Sequence, residues 1–276
     1  MAIFNSEEFF LREGRTDVNL VSYCASTSPE IPFNEKRKAL LVIPGGGYEM
    51  CSDREAEPIA LAFVARGYNA FVLRYSIKEN AKYPAPLIDA CLAVKLIKEN
   101  AERFNIDPEF VFAIGFSAGA HLAGMLSTMW HRAEVKEAIG VDNEVVKIRG
   151  AILSYPVVCA GKYAHRGSIN RILGMTGTES APEELLDMVS IDKNVDERTC
   201  PMFIWHTATD TGVPVQNSIL LAKELADKKI PFEMHIYPIG WHGLSLATKQ
   251  VQKDCKTEFT QIAGWVDDAA GWLDKI

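Results

Sequence analysis

The chain has 276 residues, 48% of them hydrophobic and 24% charged, with a formal net charge of −7. That acidic balance excludes a nucleic-acid backbone as a natural partner, and no apolar run reaches the ~20 residues of a membrane span. The stretch from Met1 to Glu8 lacks the basic start and apolar core of a signal peptide, and six scattered cysteines stand at no metal-ligand spacing, so a cytoplasmic protein with reduced thiols is expected.

Strands and helices alternate along the chain. Val18 to Cys24 reads as an early edge strand, and Ala39 to Ile43 as a strand buried on both faces of a sheet. A helix over about Glu55 to Arg66 is stopped by Gly67, and Asn69 to Tyr75 is the next strand. Pro84 to Phe104 reads as one long amphipathic helix, with Leu87, Ala90, Cys91, Val94, Ile97 and Ala101 on one face. Phe110 to Ile114 is a buried strand, followed by a helix from Ala118 to Trp130. Gly150 to Tyr155, Met202 to His206 and Glu233 to Tyr237 are further strands. A helix over Val215 to Lys228 lies between the last two, and a helix from Phe259 to Leu273 ends the chain. This βα alternation predicts a single α/β domain over residues 1–276, with a mostly parallel central sheet covered by helices on both faces. Only residues 157–199 break the pattern. That long, polar, weakly periodic stretch reads as a cap or lid insertion.

The chemistry centres on Gly115-Phe116-Ser117-Ala118-Gly119, between a buried strand and a helix of small residues. A G-x-S-x-G pentapeptide at a strand-to-helix junction is a nucleophile elbow, a turn so tight that its flanks must lack bulk. Elbow hydrolases supply the acid and then the histidine from later strand ends. Asp210 follows the strand ending at His206, and His242 follows the strand ending at Tyr237, both at carboxyl ends on the edge that carries Ser117. Neutral His242 can take the serine proton and return it to the leaving group, while Asp210 fixes the imidazole tautomer. The rivals fit less well. His121 sits on the elbow helix and reads as structural, and His206 lies inside an apolar strand as a core residue. His131 and His165 have no matching neighbours, although His165 falls in the cap; Asp192 and Asp196 read as a solvated face. The backbone N–H of Ala118 and the glycine loop Pro44-Gly45-Gly46-Gly47-Tyr48, with Gly46 and Gly47 foremost, can supply an oxyanion hole. The loop lacks the lysine or the G-x-G-x-x-G spacing of a phosphate cradle. No metal or organic cofactor is implied. Tyr48 and Trp241 flank these motifs and are candidate aromatic contacts for a substrate.

On these residues the chain resembles the α/β-hydrolase superfamily, and within it the small carbohydrate and feruloyl-type esterases, including acetyl xylan esterases. The matching segments are Pro44 to Tyr48, Ser52 to Pro58, Tyr83 to Leu87, Gly115 to Leu122, His165 to Ser168, Trp205 to Asp210 and Trp241 to Gly243. The resemblance implies an α/β-hydrolase fold and a serine esterase that removes short acyl groups, acetyl first, from xylan-derived oligosaccharides. Many related esterases carry His-Gly-Gly-Gly. Here Pro44 replaces that histidine, which removes its hydrogen bonds and leaves open what anchors the loop. A lipid esterase and a peptidase are the alternatives within the superfamily. A peptidase usually adds a large partner domain, and a lipase favours an apolar lid, whereas this segment carries Lys162, His165, Arg166, Asn170 and Arg171. A non-catalytic binding protein would typically have lost one of Ser117, Asp210 and His242. The expected partners are a small-molecule or oligosaccharide ester, with no nucleic acid and no membrane; a homodimer would use the cap or the edge strand.

Overall fold

The computed structural model describes residues 4–26, 28, 30, 36–175, 181–252 and 259–276. The strands are β1 (Phe4–Arg12), β2 (Arg15–Ala25), β3 (Arg37–Ile43), β4 (Asn69–Arg74), β5 (Ile106–Phe116), β6 (Gly150–Ser154), β7 (Met202–Thr207) and β8 (Phe232–Tyr237). Among the described residues they form one eight-stranded sheet in the order β1-β2-β4-β3-β5-β6-β7-β8. The pairings of β1 with β2 and of β2 with β4 are antiparallel; all the others are parallel.

The parallel strands are nearly continuous apolar runs because helices cover both faces. In β3, Ala39, Leu41 and Ile43 enter one core and Leu40 and Val42 the other; in β5, Val111 and Ala113 oppose Phe112, Ile114 and Phe116. The first core is closed by α2 (Ala85–Glu99), α4 (Ala118–Met129), α5 (Ala133–Ile139) and α8 (Gln216–Asp227), and the second by α1 (Glu57–Val64) and α10 (Trp265–Leu273). The carboxyl ends of β3, β5, β7 and β8 therefore open onto one rim, where an open α/β sheet places its site.

Three expectations are corrected. β2 is not the edge: β1 pairs with its outer side through a hairpin that turns at Gly14, where φ is +71°. The polar sequence Asn5-Ser6-Glu7-Glu8 hides that strand, because its side chains stay in water. The predicted long helix is two, α2 and α3 (Ala101–Phe104), broken at Asn100, whose side chain donates to the Leu96 carbonyl and competes with the helical ladder. The C-terminal helix is likewise α9 (Thr260–Ala263) and α10, parted at Gly264. The segment 157–199, read from the sequence as a cap or lid insertion, packs against the domain. It holds α6 (Arg166–Leu173) and α7 (Glu183–Val189), and buries Val157, Val158, Ile169, Ile172, Val189 and Ile191 in the first core. Its residues 176–180 lie outside the described residues. Among the described residues Cys24, Cys51, Cys91, Cys159 and Cys200 are free thiols; Cys255 lies outside them.

Candidate active site

Ser117 sits between β5 and α4 at φ 54° and ψ −115°. A β-carbon-bearing residue holds such a conformation at a cost of order 1–3 kcal/mol, and only where its surroundings enforce it. They do so here: the Ser117 N–H donates to the Ser154 carbonyl (3.0 Å), and the Ser117 carbonyl accepts from the His121 N–H (3.1 Å). Packing explains both elbow glycines. A Cβ at Gly115 would lie 2.3 Å from the Gly119 carbonyl oxygen, and one at Gly119 would lie 2.1 Å from that of Ile43. The helix thus starts directly against the end of β3.

The structure brings the three residues singled out from the sequence into one chain of hydrogen bonds. Ser117 Oγ lies 2.7 Å from His242 Nε2, and His242 Nδ1 lies 2.7 Å from Asp210 Oδ2. Asp210 Oδ1 accepts the N–H groups of Gly212 (2.8 Å) and Val213 (2.9 Å). Burial works against the Asp210 carboxylate. Hydrogen bonds from His206, His242 and the Val213 N–H outweigh it and hold the group ionised, well below the usual carboxylate range. An ionised Asp210 keeps the proton of His242 on Nδ1 and leaves Nε2 free to accept the serine proton.

The glycine loop lies alongside. Gly46 and Gly47 take φ of +126° and +67°, which glycine adopts without a Cβ penalty. The loop stays anchored without a histidine at Pro44. Tyr75 donates its hydroxyl to the Pro44 carbonyl (2.8 Å), the Ser52 N–H donates to the Gly45 carbonyl (2.9 Å), and the Gly45 N–H donates to Glu55 Oε2 (2.9 Å). Gly46 and Gly47 line a cleft of about 430 Å³ together with Met50, Ser52, Arg54, Glu55, Ser117, His165, His242 and Gly243. Directly after Ser117 the α4 N-terminus begins with Ala118, whose N–H, as the first of a helix, has no intrahelical acceptor.

The two aromatic candidates are elsewhere. Tyr48 is fully buried: at φ 61° its ring turns inward against Tyr75, and its hydroxyl lies 2.7 Å from His121 Nδ1. His121 Nε2–H donates to the Val189 carbonyl (2.7 Å), so Nδ1 accepts from Tyr48, and burial pulls the imidazole pKa down to about 4. Tyr48→Phe should therefore lower stability by about 1–3 kcal/mol, the cost of an unpaired buried acceptor, and leave KM for esters unchanged. A denaturant titration with kinetics checks this; a raised KM at unchanged stability would instead place Tyr48 against substrate. Trp241 is partly exposed but stands edge-on to Phe259 (4.5 Å) and donates Nε1–H to Gln252 (3.1 Å), away from the cleft lining.

The remaining histidines and acids sort as follows. His206 is buried between Ser218 Oγ (2.8 Å) and the Val213 carbonyl (3.0 Å), and its Nε2 lies 3.3 Å from Asp210 Oδ2. His131 and Asp196 stand together away from the cleft, 4.0 Å apart. His165 caps α6, its Nδ1 accepting from the Ser168 N–H, and burial beside His242 lowers its pKa and keeps it neutral. Arg166 is spent on the Ala160 and Gly161 carbonyls, and Glu49 on Arg171. The buried Glu55 was not picked out as a site residue from the sequence, where it stands as the start of a helix between Asp53 and Glu57. Among the described residues no group of three or more His, Cys, Asp or Glu side chains could hold a metal ion, and no helix is long and apolar enough to cross a membrane.

The BD-FAE family profile matches residues 30–225. The chain belongs to the BD-FAE family. It is a carboxylesterase of the α/β-hydrolase fold. An α/β-hydrolase enzyme, MGS-M1, from a Medee basin deep-sea metagenome library superposes on this BD-FAE chain with a TM-score of 0.79 at 36% identity, covering 99% of this chain and 97% of the other. The acetyl ester-xyloside bifunctional hydrolase of Caldicellulosiruptor lactoaceticus superposes with a TM-score of 0.81 at 32% identity, covering 98% and 96%. Endo-1,4-beta-xylanase B of Butyrivibrio fibrisolvens is 42% identical over 222 residues, which are 78% of this chain and 34% of that protein. The chain thus spans about a third of the length of that relative.

Proposed function

We propose that this BD-FAE esterase removes short acyl groups, acetyl first, from xylan-derived oligosaccharides by way of an acyl-enzyme on Ser117. The observation that carries the reading is the Ser117–His242–Asp210 chain of hydrogen bonds, whose Ser117 and His242 line the cleft together with Gly46 and Gly47. In the first half-reaction Ser117 Oγ attacks the ester carbonyl as His242 Nε2 takes its proton. The carbonyl oxygen gains charge, which the N–H groups of Ala118 and of Gly46 and Gly47 stabilise. The C–O bond to the alcohol then breaks, and His242 gives the proton to the departing oxygen. In the second half-reaction water takes the place of the alcohol: His242 accepts its proton and returns it to Ser117 as the acid leaves.

The substrate class rests on three supports. The cleft carries Ser52, Arg54 and His165, groups that can hydrogen-bond a polyhydroxylated alcohol better than a lipid tail. One neighbour is named for an acetyl ester-xyloside activity, and one relative is named an endo-1,4-beta-xylanase. His165 offers the cleft an Nε2–H, because its Nδ1 is occupied as an acceptor at the α6 cap. A p-nitrophenyl ester series from acetate to octanoate, run beside acetylated xylo-oligosaccharides, tests the reading. The expected result is a kcat/KM maximum at acetate, with acetate released from the sugars. A maximum at longer chains with inert sugars overturns it in favour of a lipid esterase.

A further inference from the structure

Glu55 closes a short 3-10 turn (Asp53–Glu55) and is 3% exposed, yet it lies in the cleft wall. Burial raises its pKa, against the hydrogen bonds from Tyr155 and Gly45. A buried carboxyl group is costly unless each oxygen has a donor. Both do: the Gly45 N–H donates to Oε2 (2.9 Å), and the Tyr155 hydroxyl donates to Oε1 (2.6 Å). Tyr155 accepts in turn from the Ser245 N–H (2.9 Å), in the loop just after His242, and the Tyr155 and His242 ring centroids lie 5.1 Å apart in an edge-to-face arrangement. The neighbouring Arg54 reinforces the same join, donating to the Gly243 carbonyl (3.2 Å) and accepting the Ser245 hydroxyl at its own carbonyl. The join is tight: a Cβ on Gly45 would lie 2.7 Å from Glu55 Oε2 and 3.1 Å from Ser117 Cβ.

One carboxyl group thus ties the glycine loop to the histidine loop, with the serine between them. We infer that Glu55 is a positioning residue for the esterase reaction, setting the glycine-loop N–H groups and His242 in register through Gly45 and Tyr155. It touches no reacting atom. Its effect falls on the transition state, where the oxyanion and the imidazolium develop together, and hardly on ground-state binding. The inference rests on the serine-centred reading of the site.

The test compares Glu55→Ala, Glu55→Gln and wild type on p-nitrophenyl acetate. Active sites are counted by titration with diethyl p-nitrophenyl phosphate, which phosphorylates the serine and releases p-nitrophenol. Glu55→Ala should lower kcat per titrated site about 100-fold, the scale of losing one aligned oxyanion donor, with KM within about 3-fold of wild type. The Ki of a phenylboronic acid, which mimics the tetrahedral intermediate, should rise in parallel. Glu55→Gln keeps an oxygen for the Gly45 N–H and should recover to within about 10-fold of wild type. A per-site kcat within about 3-fold of wild type in Glu55→Ala, or a Gln variant no better than Ala, overturns the inference. If Glu55→Ala does not fold, Tyr155→Phe cuts the same link by one oxygen. It should lower per-site kcat about 10-fold at unchanged KM, and an unaltered kcat overturns the inference. An unlabelled wild-type serine would instead overturn the serine-centred reading itself.

Discussion

Ser117→Ala should lower kcat/KM for p-nitrophenyl acetate by about 10⁵-fold, equivalent to about 7 kcal/mol of transition-state stabilisation. Ser117 Oγ is the group that His242 Nε2 faces at 2.7 Å, and a methyl group can neither attack a carbonyl nor yield a proton. Folding should hardly respond. Alanine carries the same Cβ into the same strained conformation, so the elbow pays no new backbone cost, and stability should stay within about 1 kcal/mol of wild type. The double variant Ser117→Ala/His242→Ala should be scarcely slower than the single one, because residues that act as one unit lose their effect together. Steady-state kinetics on the purified variants, with a thermal melt of each, checks both statements. Activity within 10-fold of wild type in Ser117→Ala would remove the serine from the chemistry.

The elbow, the acid and the base were legible in the sequence because each is announced locally. Gly115 and Gly119 flank Ser117 within one turn, and Asp210 and His242 each follow a strand whose direction the βα alternation dictates. What stayed hidden depends on which way a side chain turns once the chain has folded. Tyr48 adjoins the glycine loop and so looked like cleft wall, but a positive φ at that residue sends its ring under the loop to His121. In the sequence Glu55 reads only as the start of a helix. Its partners Gly45 and Tyr155 come from separate strand ends, and nothing in its own neighbourhood names them. β1 escaped for another reason: Asn5 to Glu8 are exposed on both faces of the strand, so no apolar alternation marks it.

Gly119→Ala is the sharpest test of how the site is built, since two effects of known size oppose each other there. Alanine is favoured over glycine inside a helix by about 1 kcal/mol, and Gly119 lies in the first turn of α4. Against that, the added Cβ would stand 2.1 Å from the Ile43 carbonyl oxygen and 2.3 Å from that of Pro44. Both are backbone atoms at the end of a central strand and the start of the glycine loop, so no side chain can swing aside. Overpacking costs about 1–3 kcal/mol, and against rigid backbone the upper end applies, so the net should be a loss of about 2 kcal/mol. The same push would shift the glycine loop away from Ser117, so the surviving folded enzyme should also lose kcat. Gly271, in α10, supplies the control: a Cβ there meets nothing within 4 Å. Gly271→Ala should then gain about 0.5–1 kcal/mol from helix propensity alone, with kcat unchanged. Chemical denaturation of the two variants reads the difference directly. Equal gains would mean that α4 can slide off the strand end, and that the elbow is not held by the contact between Gly119 and β3.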